Sequence, residues 1–175
     1  MADSTKQKIV HAHLPQDEEF TSTLTAGTHE LLADEPESVE GGKDQGPDPY
    51  DYLLMSLGSC TLMTIKMYVN RKGWELDDIY MELRHNKRHD KDCQDCENPQ
   101  SKIDVIEKEV IVEGDLSGEQ LDKILDISKK CPVHRTLIGD IKIESEITKK
   151  WFFFIPTPGF INGNQSLLIK IAQSL

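Results

Sequence analysis

The chain has 175 residues, with 20 basic against 31 acidic side chains and a formal net charge of -11. That excess of acid argues against nucleic acid or an anionic membrane surface as a partner, and the length suits one domain with its own core and chain to spare. Four cysteines are too few for a disulfide scaffold, and the opening Met1-Ala2-Asp3-Ser4-Thr5-Lys6-Gln7-Lys8 has no apolar signal core, so a reducing, cytoplasmic setting is expected, with thiols that are catalytic, metal-binding or inert.

Short alternating stretches open the chain at Lys8–His13, Phe20–Thr25 and His29–Leu32, with a turn at Ala26-Gly27-Thr28. They predict two or three antiparallel strands. Asp34 to Pro49 is polar and rich in Gly, Pro and acid, which predicts a loop. A helix is predicted from Pro49 to about Lys72: Asp48 caps it, Pro49 suits its first turn, Asp51 complements its dipole and Gly73 stops it. Tyr52 to Ile65 carries no charge, and these fourteen residues are too few to span a bilayer and predict a buried core helix. Gly58 in its middle costs about 1 kcal/mol against Ala, which points to a close neighbour.

Leu76–Leu83 and Ile103–Val112 read as strands, with a polar stretch His85–Ser101 between them. Ser117 and Gln120 form a capping box, and Leu116 and Leu121 a hydrophobic staple. The helix they start is expected to bury Leu121, Ile124, Leu125 and Ile127 or Ser128, and to end at Lys129-Lys130. A short helix follows Pro132 and stops near Gly139, and Ile141–Ile147 alternates as a strand with one buried face. Strands and helices do not alternate regularly, so the fold class is α+β.

Cys131, in Cys131-Pro132-Val133-His134-Arg135, is the strongest chemical candidate. Proline at a first helical position puts Cys131 at a helix N-terminus, and Lys129, Lys130, His134 and Arg135 surround it with cations. Both features lower a thiol pKa and suit redox or nucleophilic chemistry, against the alternative of a small capping cysteine. Cys60 lies inside the uncharged helix, where packing is its default role. The spacing does not say whether the two thiols meet. His134 is read as orienting the Cys131 helix or acting as a base, and Arg135 as contacting a substrate or a nearby acid. His85, His89, Cys93 and Cys96 fall within twelve residues and have ligand types that suit zinc, though structural zinc sites normally separate their two pairs further. The alternative there is a solvated loop with reduced thiols. His11, His13 and His29 sit on predicted strands and read as structural.

The stretch Gly46-Pro47-Asp48-Pro49-Tyr50-Asp51-Tyr52-Leu53-Leu54-Met55-Ser56-Leu57-Gly58-Ser59-Cys60-Thr61-Leu62-Met63-Thr64, with Cys131-Pro132-Val133-His134-Arg135-Thr136-Leu137, resembles the OsmC/Ohr family of osmotically induced and organic-hydroperoxide-resistance proteins. The likeness runs from about residue 8 to 147. Asp92-Cys93 and Cys96 look like one branch of OsmC-like proteins. The resemblance implies antiparallel sheets around a long central buried helix, in an intertwined homodimer whose helices lie back to back and whose active sites sit at the interface. It implies thiol-dependent reduction of organic hydroperoxides without a resident cofactor. Cys60 would attack the peroxide and become a sulfenic acid; Cys131 would condense with it to a disulfide, and an external dithiol would restore both. Local chemistry, in contrast, makes Cys131 the more activated thiol. The family's N-terminal arginine has no counterpart, since the first arginine is Arg71, and Tyr50 holds the place of its glutamate. Asp51 and Arg135 are the candidate substitutes.

The expected partners are therefore a second copy, a small organic hydroperoxide and a dithiol, with no nucleic acid and no membrane. Two other functions stand beside the peroxidase: a non-catalytic relative that binds an apolar or thiol ligand at the interface, and a metal-binding module on His85, His89, Cys93 and Cys96. Residues 1–148 read as a single domain. Residues 149–175, with Trp151-Phe152-Phe153-Phe154-Ile155-Pro156 and Leu167-Leu168-Ile169-Lys170-Ile171, are an extension foreign to the family, either a cover for a pocket or partner subunit or a non-native addition.

Overall fold

The computed structural model describes residues 8–89 and 102–149. Cys93, Cys96 and the two apolar runs of the tail lie outside the described residues. The chain divides into two compact units, Met1–Ile141 and Lys142–Leu175.

The first unit opens with β1 (His11–His13), β2 (Ser22–Ala26) and β3 (His29–Ala33), an antiparallel sheet in that order. The predicted strands and the turn at Gly27-Thr28 form, with Ala26 paired to His29. The loop that follows is fixed by Asp34, whose buried carboxylate accepts the Thr21 hydroxyl at 3.0 Å and the N–H groups of Glu35 and Gln45 at 2.8 and 3.2 Å. Burial resists the charge, but these hydrogen bonds outweigh it and hold the Asp34 carboxyl below its ordinary value. The loop thus delivers the chain to the next helix in one path.

That helix, α1 (Pro49–Lys72), begins and ends where its signals lie. Asp48 and Asp51 form a capping box, Pro49 occupies the first turn, and Gly73 closes the end with φ 67, a left-handed conformation that suits glycine. A long hairpin follows, β4 (Asp78–His89) and β5 (Lys102–Glu113), with Leu83 opposite Lys108 and His85 opposite Ile106. Its arms run past the predicted strand ends, so His85 and His89 belong to β4 and not to a loop. Hairpin ends with polar residues on both arms still satisfy their backbones by pairing, which a hydrophobicity pattern does not register. Then come α2 (Gly118–Ser128), started by the Ser117–Gln120 capping box, and α3 (Pro132–Leu137), capped by Cys131.

The core is Ile65 and Val69 of α1 with Ile124 and Ile127 of α2, and Tyr68, Trp74, Leu76, Ile79, Val110, Val112 and Leu116 pack around it. Each fully buried aliphatic side chain contributes roughly 1.5–3 kcal/mol. Two expectations fail. Leu121 and Leu125 of α2 are 42% and 51% exposed, because Ile124, Ile127 and Ser128 already fill the face turned to α1. The strand expected at Ile141–Ile147 does not form, and Ile147 is 97% exposed. Alternation supplies a face to bury, but a strand also needs an edge to pair with, and no ladder reaches these residues.

The expectation of a buried α1 is met along one stripe only: Leu57, Gly58, Thr61, Ile65 and Val69 are buried, while Met55, Met63 and Met67 are exposed. By length and composition alone the 24-residue α1 also reaches what a membrane crossing needs. Gly58 has the close neighbour its position implies, since a Cβ there would lie 3.0 Å from Leu83 Cδ1 of β4. Gly58→Val is therefore expected to destabilise the protein by about 1–3 kcal/mol through overpacking. In urea unfolding, Leu83→Ala combined with Gly58→Val should recover part of that loss; a strictly additive double variant would show that the crowding lies elsewhere.

Candidate functional site

The Gly58–Leu83 approach brings the hairpin onto the buried stripe of α1 one turn from Cys60 and Thr61. On the hairpin's inner face the alternation Ile106-x-Lys108-x-Val110-x-Val112 puts one lysine in a row of apolar residues. The α2–α3 junction closes the space from the other side. Its Cys131 is 0% exposed, has an extended backbone at φ -64 and ψ 145, and turns its sulfur back to accept the His134 N–H at 3.2 Å.

Cys60 and Cys131 meet. Both are free thiols, and Cys60 lies near enough to the Cys131 sulfur to help lower its thiol pKa. Thr61 Oγ1 lies 3.2 Å from the same sulfur and 2.7 Å from the Leu57 carbonyl. A hydroxyl has a single proton, so Thr61 serves one acceptor at a time: the Leu57 carbonyl opposite a Cys131 thiol, and the sulfur opposite a thiolate. Burial opposes charge on Cys131, but the Thr61 hydroxyl, the His134 N–H, Cys60 and the Lys108 ammonium outweigh it and hold this thiol below its ordinary value. Lys108 donates to the Ser128 carbonyl at 2.5 Å. Burial presses its ammonium below the usual lysine range, Cys131 opposes that, and Lys129 adds to it.

Leu57, Asp104, Ile106, Lys108, His134, Leu137 and Ile138 line a pocket of about 200 Å³. Its walls are mostly aliphatic, and two of its residues also act on Cys131, Lys108 through its charge and His134 through its backbone N–H. Asp104 Oδ1 lies 2.8 Å from His85 Nε2 and accepts its N–H in the tautomer that carries the proton there, and the His85 ring stacks on Tyr50 with centroids 4.6 Å apart. His85, read from sequence as a metal ligand, is thus bound to a residue of the pocket. His89 ends β4, and Cys93 and Cys96 lie outside the described residues; among the described residues no cluster of metal-ligating side chains occurs. Asp51 is used in the α1 cap, nine residues or about 13 Å along the helix from Cys60. Arg135 is exposed on α3, and the cation whose charge reaches Cys131 is Lys108, which sequence reasoning passed over. Its signal was present, as the charged position on the inward side of a period-2 strand. Thr61 carried none beyond its place next to Cys60.

A family model for OsmC-like proteins matches residues 42–146, more than half of the chain. The chain belongs to the OsmC-like family. Among solved structures, the OsmC-like protein of Mycoplasma pneumoniae superposes with a TM-score of 0.61 at 21% identity, over 77% of this chain and 89% of that one. The organic hydroperoxide resistance protein OsmC of Legionella pneumophila gives 0.57 at 16% identity, over 78% and 93%. That of Elizabethkingia anophelis, with thiocyanate bound, gives 0.57 at 13%, over 79% and 93%. At these identities the likeness is one of fold, antiparallel sheets with helices. Among curated proteins none matches the chain.

Electrostatics at the site make His134 a reporter. Burial lowers its pKa, and the Lys108 and Lys129 charges lower it further, so its imidazole is neutral at pH 7. An NMR titration should place its midpoint below the ordinary value of about 6.5, and Lys108→Met should move that midpoint up. No movement would mean that the lysine charge does not reach the ring.

Proposed function

We propose that the protein is a thiol-dependent peroxidase that reduces organic hydroperoxides through the Cys60–Cys131 pair. The observation that carries this reading is that two free thiols, one buried and one half-buried, lie together, and that Lys108 and His134, which act on the buried one, also line a small, mostly aliphatic pocket. An apolar peroxide fits such walls better than hydrogen peroxide does, because the aliphatic surface is satisfied only by an alkyl group. Cys60 attacks the terminal peroxide oxygen; the O–O bond breaks and Cys60 becomes a sulfenic acid. Cys131 displaces its hydroxyl as water and forms the disulfide, which an external dithiol reduces. The reaction needs no resident cofactor, and a reducing cytoplasm would supply the dithiol. Lys108 stands in for the arginine that the family resemblance led one to expect: it brings a positive charge to the thiol pair from β5 in place of the N-terminal strands.

Peptide mass mapping after stoichiometric cumene hydroperoxide should find a Cys60–Cys131 disulfide that dithiothreitol reverses. Cys60→Ser and Cys131→Ser should each abolish dithiol-dependent turnover. Activity retained by both variants would overturn the mechanism, and thiols that stay reduced throughout would hand the pocket to the ligand-binding reading.

The unit that acts is a homodimer on this proposal. The exposed face of α1 has Met55, Met63 and Met67 and no charge between Tyr52 and Ile65, and a second α1 lying on it would cover the methionines. Sedimentation should give a dimer. Met63→Glu should weaken it by about tenfold or more, since a buried, unpaired carboxylate costs several kcal/mol. A wild-type monomer at micromolar concentration would overturn this assignment.

A further inference from the structure

The family resemblance and the local chemistry of the chain disagree about which thiol is activated, and the geometry gives each a separate task. Two donors converge on one sulfur: Thr61 Oγ1 and the His134 N–H, each 3.2 Å from Cys131 Sγ. Cys60 lies beside it, and the Lys108 ammonium supplies a positive charge from β5. Such an array stabilises an anion, since each donor gains when its acceptor becomes charged. Cys131 has no solvent contact, so it does not meet an incoming substrate directly; Cys60 is half-buried on α1. The charged and titratable groups around the pair and its neighbouring pocket are Lys108 and Asp104 from β5, His134 from α3 and Lys129 from the α2–α3 junction, and the lysines are the cations among them.

We propose that Cys131 carries the negative charge of the reduced pair and is the base for Cys60: in the resting site the Cys60 thiol donates its hydrogen to a Cys131 thiolate. This rests on the peroxidase reading. As the Cys60 sulfur forms its bond to the terminal peroxide oxygen, its proton passes to Cys131 and the O–O bond breaks. Two electrons leave the sulfur and reduce the peroxide. The departing alkoxide takes a proton from the Lys108 ammonium, which lines the pocket. The products are Cys60 sulfenic acid, a neutral Cys131 thiol, an alcohol and a Lys108 amine that regains its proton from water. Atoms and charge balance, and Cys131 is left in contact with the sulfenic acid it must then resolve. Thr61 is a positioning residue in this scheme. Its hydroxyl proton swings from the Leu57 carbonyl to the sulfur in the charged state and back when Cys131 is protonated.

Two measurements on the full chain, in a Cys93→Ser/Cys96→Ser background, test the assignment. The first is a peroxide-free titration of thiolate ultraviolet absorbance. One thiol should titrate below the ordinary thiol value in the parent, should still do so in Cys60→Ser and should be lost in Cys131→Ser; a low titration kept in Cys131→Ser and lost in Cys60→Ser overturns the proposal. Thr61→Val keeps the shape of the side chain and should shift the titration upward with an unchanged far-ultraviolet spectrum; an unmoved titration removes Thr61 from the scheme. The second is single-turnover oxidation of Cys60 by cumene hydroperoxide, a step that needs no resolving thiol. Cys131→Ser should slow it by about tenfold or more at pH 7, because an unassisted thiol is only a few per cent thiolate there. An unchanged rate would make Cys131 a resolving residue alone. Sulfenic acid at Cys131 in Cys60→Ser at the parental rate would make it the attacking thiol, again overturning the proposal. A charge found on Cys131 with no oxidation of Cys60 would defeat the peroxidase reading while leaving the charge where the geometry puts it.

Discussion

Residue 58 sets how closely α1 lies against the β4–β5 hairpin. A single Cβ there would already lie 3.0 Å from Leu83, and a larger side chain would push helix and strand apart. The rest of the site hangs on that approach. Leu83 pairs with Lys108, so the register that seats Leu83 on Gly58 also turns the Lys108 ammonium toward the helix. Thr61 follows about one turn later on α1, with Cys60 next to it. The α2–α3 junction completes the enclosure by stacking Ile124 and Ile127 on Ile65 and Val69, which leaves Cys131 opposite Thr61. Four elements meet at one sulfur, and the packing contact that lets them meet lacks polar atoms altogether.

Burying a thiol and lowering its pKa are opposed tendencies. Removal from water penalises the thiolate, and the site answers with short-range donors and with a cation that is itself partly desolvated. The lysine and the cysteine support each other. Cys131 holds the Lys108 proton on, and Lys108 holds the Cys131 proton off. His134 receives the cost: between Lys108 and Lys129 its imidazole stays neutral. The pocket is therefore furnished with one cation, one neutral imidazole and one carboxylate, Asp104, whose charge is engaged by His85.

Local signals in the sequence carried a good part of this. Asp48, Ser117 and Cys131 cap the helices they precede, Gly73 ends α1 in the left-handed region, and the cost of Gly58 correctly implied a close neighbour. Those features depend on a few adjacent residues, which is why they are legible. What depended on partners distant in the chain was not. The ends of β4 and β5 are set by each other's backbone and not by hydrophobicity, so His85 and His89 looked like loop residues. Leu121 and Leu125 have the right spacing for burial, but only one face of α2 finds α1. Ile141–Ile147 has the alternation of a strand without an edge to complete it. Lys108 was visible as a charge on an apolar face; its meaning required the register that sets it beside Cys131. The absence of charge along α1 predicted burial, and the fold supplies it on one face alone, leaving Met55, Met63 and Met67 exposed on the other.

The disagreement between the two readings of the cysteines has a physical resolution in their unequal access. A nucleophile must reach its substrate, and a stabilised anion must be shielded from competing water; one thiol meets both demands poorly. Cys131 is sealed at 0% exposure under two donors, and on the proposed mechanism it holds charge and does not strike. Cys60, half-buried beside it, is on that proposal the thiol that draws on this charge at the moment of attack. On this division the cation need not stand next to the attacking sulfur. It must stand next to the sulfur that stores the charge, and Lys108 does so from β5, with no arginine required in the N-terminal strands.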